Sequence, residues 1–117
     1  MGIIHREFTY RGRIKVSSSD LQLAMIGKKR CTIRLGKIGV AGRQINLTDG
    51  KDVLPVRITG VDTSRTFVQL NDQDARDEGF DSRAELIADL RQYYRAIDDQ
   101  QPITVIYFDR AESAVTA

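Results

Sequence analysis

The chain has 117 residues, enough for one domain with a modest core, and at 41% hydrophobic and 29% charged residues it has an ordinary soluble globular composition. No apolar run approaches the ~20 residues of a membrane span, and residues 1–6 carry no signal-peptide core. A single cysteine excludes an internal disulfide and a thiol-rich zinc site, so a reducing, cytoplasmic setting is expected.

Net charge is only +2, but the charges are segregated. Residues 11–48 carry nine basic side chains against one acid, Asp20, whereas residues 71–100 carry nine acids against four arginines. A fold that brings these segments together would make a basic cleft bordered by carboxylates.

In chain order, residues 3–10 and 13–16 read as short strands about a turn at Tyr10, Arg11 and Gly12. The serine run 17–19 with Asp20 supplies helix N-cap chemistry. Leu21, Ala24 and Met25 then follow at i, i+3, i+4, giving a short amphipathic helix closed by Gly27. Residues 29–35 read as a strand with Arg30, Thr32 and Arg34 on one face and Cys31 and Ile33 on the other. A hydroxyl flanked by two fixed cations suits a phosphate, a carboxylate or a developing oxyanion; the alternative for the basic octet 27–34 is a solvated strand edge. Cys31 is expected in the core as a small apolar group.

Gly36, Gly39 and Gly42 are expected to punctuate a loop, a flexible lip over the cleft rather than a phosphate loop, since no Gly-Lys-Ser/Thr follows. Residues 44–48 alternate as a strand before the Asp49-Gly50 turn. Residues 53–61 form another strand, in which Pro55 suggests an edge or a bulge. Residues 66–70 resume the extended pattern. Asn71 caps a single helical turn that stops at Gly79, and Ser82 with Glu85 makes a capping box for the longest helix, residues 82–96. Its buried stripe would be Leu86, Leu90, Tyr93 and Tyr94. Residues 103–108 read as a buried strand, and the chain ends in a frayed tail. Strands dominate without βαβ alternation. The expected fold class is therefore α+β: a small, mostly antiparallel barrel flanked by two main helices.

The segment Gly27-Lys28-Lys29, then Thr32-Ile33-Arg34, comes after a short helix and leads through a glycine segment into Ala41-Gly42-Arg43-Gln44-Ile45-Asn46-Leu47. A valine-rich strand, Asp74-Ala75-Arg76-Asp77-Glu78-Gly79-Phe80, a long helix and a closing Thr104-Val105-Ile106-Tyr107-Phe108 complete the series. In this order the chain resembles the ASCH domain of the PUA-like superfamily over residues 20–109, with 1–19 as an N-terminal strand arm packed on the barrel and 110–117 as a flexible tail. The resemblance implies a compact PUA-like β-barrel with a basic cleft for RNA or a modified nucleoside or nucleotide. Some small bacterial ASCH proteins hydrolyse the amide of N4-acetylcytidine; others are linked to RNA cleavage. In the amidohydrolase branch the working groups are a Lys, a Thr three residues later and a distant Glu, which fall here on Lys29, Thr32 and Glu78. The Arg two positions after the Thr falls on Arg34. Lys28, Arg30 and Arg43 complete the expected ligand-binding set. The chain departs from that branch at Arg43, often Asp, and at Tyr107, an acid in the amidohydrolases.

Amide hydrolysis needs a nucleophile, a proton acceptor and an oxyanion partner. Thr32 can attack or orient a water, and Glu78 can act as general base. Lys29 can hold the oxyanion or, with its pKa depressed by burial, take the proton. Lys29 and Thr32 differ in strand parity, so a shared site requires Lys29 to sit in the turn before the strand or at a bulge. Two other readings use the same cleft: a non-catalytic RNA-binding module, and a ribonuclease acting on single-stranded RNA. No cofactor is expected. His5 is the lone histidine, so no histidine-based metal site is expected either. The expected state is a monomer.

Overall fold

The last strand sets the plan of the molecule. The structure, a computed structural model, describes residues 2–111; of the expected tail at 110–117, Arg110 instead closes the last strand, and 112–117 lie outside the described residues. Along β5 (Pro102–Arg110), Ile103, Val105 and Tyr107 point to one face and Ile106 and Phe108 to the other, and both faces are covered. Upstream of it come β1 (Glu7–Lys15), α1 (Ser18–Met25), β2 (Cys31–Leu35), β3 (Lys37–Thr48), β4 (Val53–Thr66), α2 (Asp72–Glu78) and α3 (Arg83–Tyr93). The five strands form one curled sheet in the order β1-β3-β4-β5-β2. Only the β1–β3 pair is parallel; the other three pairings are antiparallel. The fold is thus α+β, a mostly antiparallel half-barrel with helices packed beside it.

Leu21 and Ala24 of α1 join Ile14, Leu47 and Ile106 in one apolar cluster. Leu86 and Leu90 of α3 join Cys31, Ile33, Leu35 and Val105 in the second. Full burial of such side chains stabilises the fold by about 1.5–3 kcal/mol each. Thr104 ties the curl together from inside. Its hydroxyl donates to the Gly36 carbonyl at 2.7 Å and accepts from the Ile38 amide at 3.0 Å, joining the start of β3 to a strand two places away.

Several local expectations change. Residues 10–12 make no turn: β1 runs through them with a register break between Arg11 and Arg13, because its partner is β3 rather than its own second half. For the same reason the glycine lip does not exist. Gly39 and Gly42 lie within β3, and Gly39 sits opposite Thr9. Gly36 alone turns the chain from β2 to β3, at φ +94°, and a Cβ there would strike the Arg6 carbonyl. Pro55 is on an interior strand. It is tolerated because the β4–β5 ladder begins one residue later, at Val56 opposite Arg110. Residues 67–69 are a short 3-10 turn, not extended. Helix α3 ends at Tyr93, which is 61% exposed rather than buried.

Cys31 is fully buried opposite Tyr107, and burial pushes its thiol up to about 12. Its folded pKa is raised, so its contribution to stability is fully present below the unfolded thiol's pKa and is lost as pH rises toward about 12. Native protein at pH 8 is expected to leave Cys31 unlabelled by a thiol reagent that modifies it completely in denaturant. Rapid native labelling would contradict this placement.

Candidate functional site beside strand β2

Strand β2 is an edge of the sheet, so one side of its backbone lacks a neighbouring strand. The C-terminus of α2 covers part of that edge. The Arg30 amide donates to the Asp77 carbonyl at 2.6 Å, and the Ile33 amide reaches the Glu78 carboxylate at 3.4 Å. Helix α2 is held in place at both ends. At its start, Asp74 accepts from the Asn71 amide at 2.8 Å and from the Arg65 guanidinium, Nη1 at 2.7 Å, so β4 anchors it. At its end, Gly79 adopts φ +99°, and any Cβ there would lie 3.2 Å from Leu23 on α1. Glu78 therefore projects between α1 and β2 from a pinned helix terminus.

Lys29 meets it there. The segment after α1 is held by its own amides: Lys28 and Lys29 both donate to the Leu23 carbonyl, at 2.9 and 3.0 Å. Lys29 precedes the first residue of β2, which frees it from strand parity, as a site shared with Thr32 requires. Its side chain is 3% exposed and forms an ion pair with Glu78, itself 5% exposed. Burial is the largest influence on the Lys29 ammonium and draws its pKa below the usual lysine range, with Asp20 opposing.

Thr32, 4% exposed, and Arg34 follow on β2 and face the same cavity as Lys29 and Glu78, a space of about 300 Å³. Helix α1 contributes Asp20 to its wall, and α3 contributes Asp89, Tyr93 and Tyr94. The volume is at the small end of pockets that take small molecules. The Thr32 hydroxyl makes no hydrogen bond among the described residues. The Arg34 Nη2 donates to the Lys15 carbonyl at 3.1 Å, with its guanidinium 5.9 Å from the Tyr10 ring, while its buried Nε has no partner.

The structure thus brings together Lys29, Thr32, Glu78 and Arg34, and leaves three expected ligand residues outside. Arg30 precedes β2 as well, so it does not flank Thr32; its side chain is 60% exposed and pairs with Asp77 at 3.0 Å. Lys28 is exposed, and Arg43 is exposed on β3, which does not line the cavity. The cavity is not basic either: Lys15, Lys29 and Arg34 face Asp20, Glu78 and Asp89. Tyr107 packs in the α3-side cluster, away from the cavity. Sequence reasoning missed Asp89. Its signal is a carboxylate three residues after Leu86 and beside Leu90, at the border of the apolar stripe.

No family model and no curated protein matches the chain. Among the solved structures that share its architecture are two at similar TM-score. The ASCH domain from Lactobacillus crispatus JV V101 is 17% identical, with a TM-score of 0.66, over 91% of this chain and 80% of that one. The hypothetical protein PH0355 is 20% identical, with a TM-score of 0.61, over 91% of this chain and all of that one.

Proposed function

Taking as premise that this chain has the fold of an ASCH domain, we propose that it binds a modified nucleoside in the β2 cavity and hydrolyses its exocyclic amide, as in N4-acetylcytidine. One observation carries the reading. A lysine, a threonine and a glutamate 49 residues from that lysine share one wall of a cavity of about 300 Å³. The balanced charge of the lining favours a neutral ligand over a phosphodiester chain, which would call for an excess of cations.

In the proposed reaction the Thr32 hydroxyl attacks the acyl carbonyl and its proton passes to Glu78. Lys29 stays cationic and stabilises the oxyanion. Collapse breaks the C–N bond, Glu78 returns the proton to the departing amine, and cytidine leaves. Water, deprotonated by Glu78, then cleaves the threonyl ester. Acetate departs and the hydroxyl is restored. Arg34 holds a carbonyl of the ligand.

The test is incubation of purified protein with N4-acetylcytidine and, separately, with labelled single-stranded RNA, with Lys29→Ala and Glu78→Ala alongside. The expected result is release of cytidine and acetate by wild type alone, changing less than about two-fold between low and high salt. Inert wild type, or hydrolysis surviving both substitutions, overturns the proposal. RNA binding without turnover, falling steeply with salt, would identify a binding module instead; RNA cleavage would identify a ribonuclease.

A further inference from the structure

Asp20 and Asp89 have no part in that reaction, yet they occupy the same cavity, one on α1 and one on α3. Neither carboxylate accepts a side-chain or backbone hydrogen bond among the described residues. They are close enough to interact. Burial raises the Asp89 carboxyl, the Asp20 charge raises it further, and Lys29 opposes both. Two carboxylates that repel each other in a half-buried cavity, without a protein donor, are a costly arrangement unless something else supplies donors.

A second, independent observation concerns Arg34, which lines the same cavity. The buried Arg34 Nε–H is the only buried side-chain nitrogen or oxygen without a partner among the described residues. Its guanidinium is already fixed through Nη2 on the Lys15 carbonyl and the Tyr10 ring, so it cannot turn away to find an acceptor. The cavity wall therefore carries one held guanidinium and, on its helical side, two carboxylates without a protein donor among the described residues. Its complement carries a carbonyl at one end and two adjacent hydrogen-bond donors at the other.

We infer that Asp20 and Asp89 form a hydroxyl-binding subsite that takes the vicinal 2′,3′-diol of a ribose while Arg34 takes a carbonyl of the base. The inference rests on the modified-nucleoside reading and adds a sugar specificity to it. A carboxylate accepts strongly from a hydroxyl, and two of them match a pair of donors on adjacent carbons. The same pair repels a phosphate placed on either hydroxyl. A free ribonucleoside and the 3′-terminal residue of an RNA chain both present this diol.

The experiment compares N4-acetylcytidine with its 2′-deoxy analogue, its 2′,3′-O-isopropylidene derivative and a trinucleotide ending in the same residue. Turnover is followed by cytidine release, and binding of the product nucleosides cytidine and 2′-deoxycytidine by calorimetry. Wild type is expected to favour the ribonucleoside at least ten-fold over the deoxy and diol-blocked forms. Asp89→Asn and Asp20→Asn are each expected to bring the ribo-to-deoxy ratio near one; Asp89→Ser serves if either fails to fold. Turnover of the free nucleoside alone, or of the trinucleotide as well, supports the diol subsite and tells which source of the diol is read. Equal handling of ribo and deoxy forms by wild type, or discrimination surviving every variant, overturns it. Cytidine preferred over deoxycytidine without any hydrolysis would leave the subsite standing and sink only the reaction.

Discussion

Lys29→Met and Glu78→Leu are each expected to destabilise the protein by about 3–5 kcal/mol in urea denaturation at neutral pH, because each strands a charge in a cavity wall a few per cent exposed. The double variant is expected to recover most of that loss, since two apolar groups of similar volume leave no buried charge unpaired. Hydrolysis should be absent in all three. This pattern separates two roles that single substitutions confuse. A purely structural pair would give a double variant with both stability and activity restored. A double variant whose loss equals the sum of the two single losses would show that the ion pair is not coupled in solution.

Thr32→Val is expected to lower kcat/KM by at least about 10³-fold, equivalent to about 4 kcal/mol of barrier, while Thr32→Ser keeps substantial activity. Stability should move by no more than about 1 kcal/mol, because the hydroxyl has no protein hydrogen bond among the described residues to lose. A valine variant that turns over normally would place the nucleophile elsewhere, most simply on a bound water. A serine variant as inactive as the valine one would point to a need for the threonine methyl in packing rather than for its hydroxyl.

Much of the architecture is written locally. One serine of the expected run, Ser17, caps α1, and Asn71 and Ser82 cap α2 and α3, with Gly79 ending α2, because capping depends on a few adjacent residues. Glu85 accepts from the Asp81 amide rather than completing a capping box with Ser82. The helical length of α3 was less legible, as the helix stops at Tyr93 while Tyr94 and Ile97 beyond it still pack on the core. What local pattern could not carry was partnership between distant strands. Nothing within residues 36–42 says that β1 will pair with them in parallel, so three glycines of a strand and its corner resembled a loop. The site shows the same division. Lys29, Thr32 and Arg34 could be read from one short segment, and the requirement that Lys29 lie outside the strand followed from side-chain alternation. The charge of the cavity could not. Helices α1 and α3 bring Asp20 and Asp89 to a wall otherwise built from the basic segment, and that depends on how the helices dock.

The pairing of β2 with β5 puts Cys31 opposite Tyr107, more than seventy residues further along the chain. During synthesis the strand bearing Thr32 therefore emerges long before β5, its one β-partner among the described residues, and waits as an unpaired, apolar-flanked edge. Its ladder cannot form until β5 has left the ribosome, and such distant contacts make folding slow. A nascent chain arrested before residue 102 would hold every proposed catalytic residue and still lack the site. Competence arrives only with β5, so a product terminated before that strand would be inert rather than partly active.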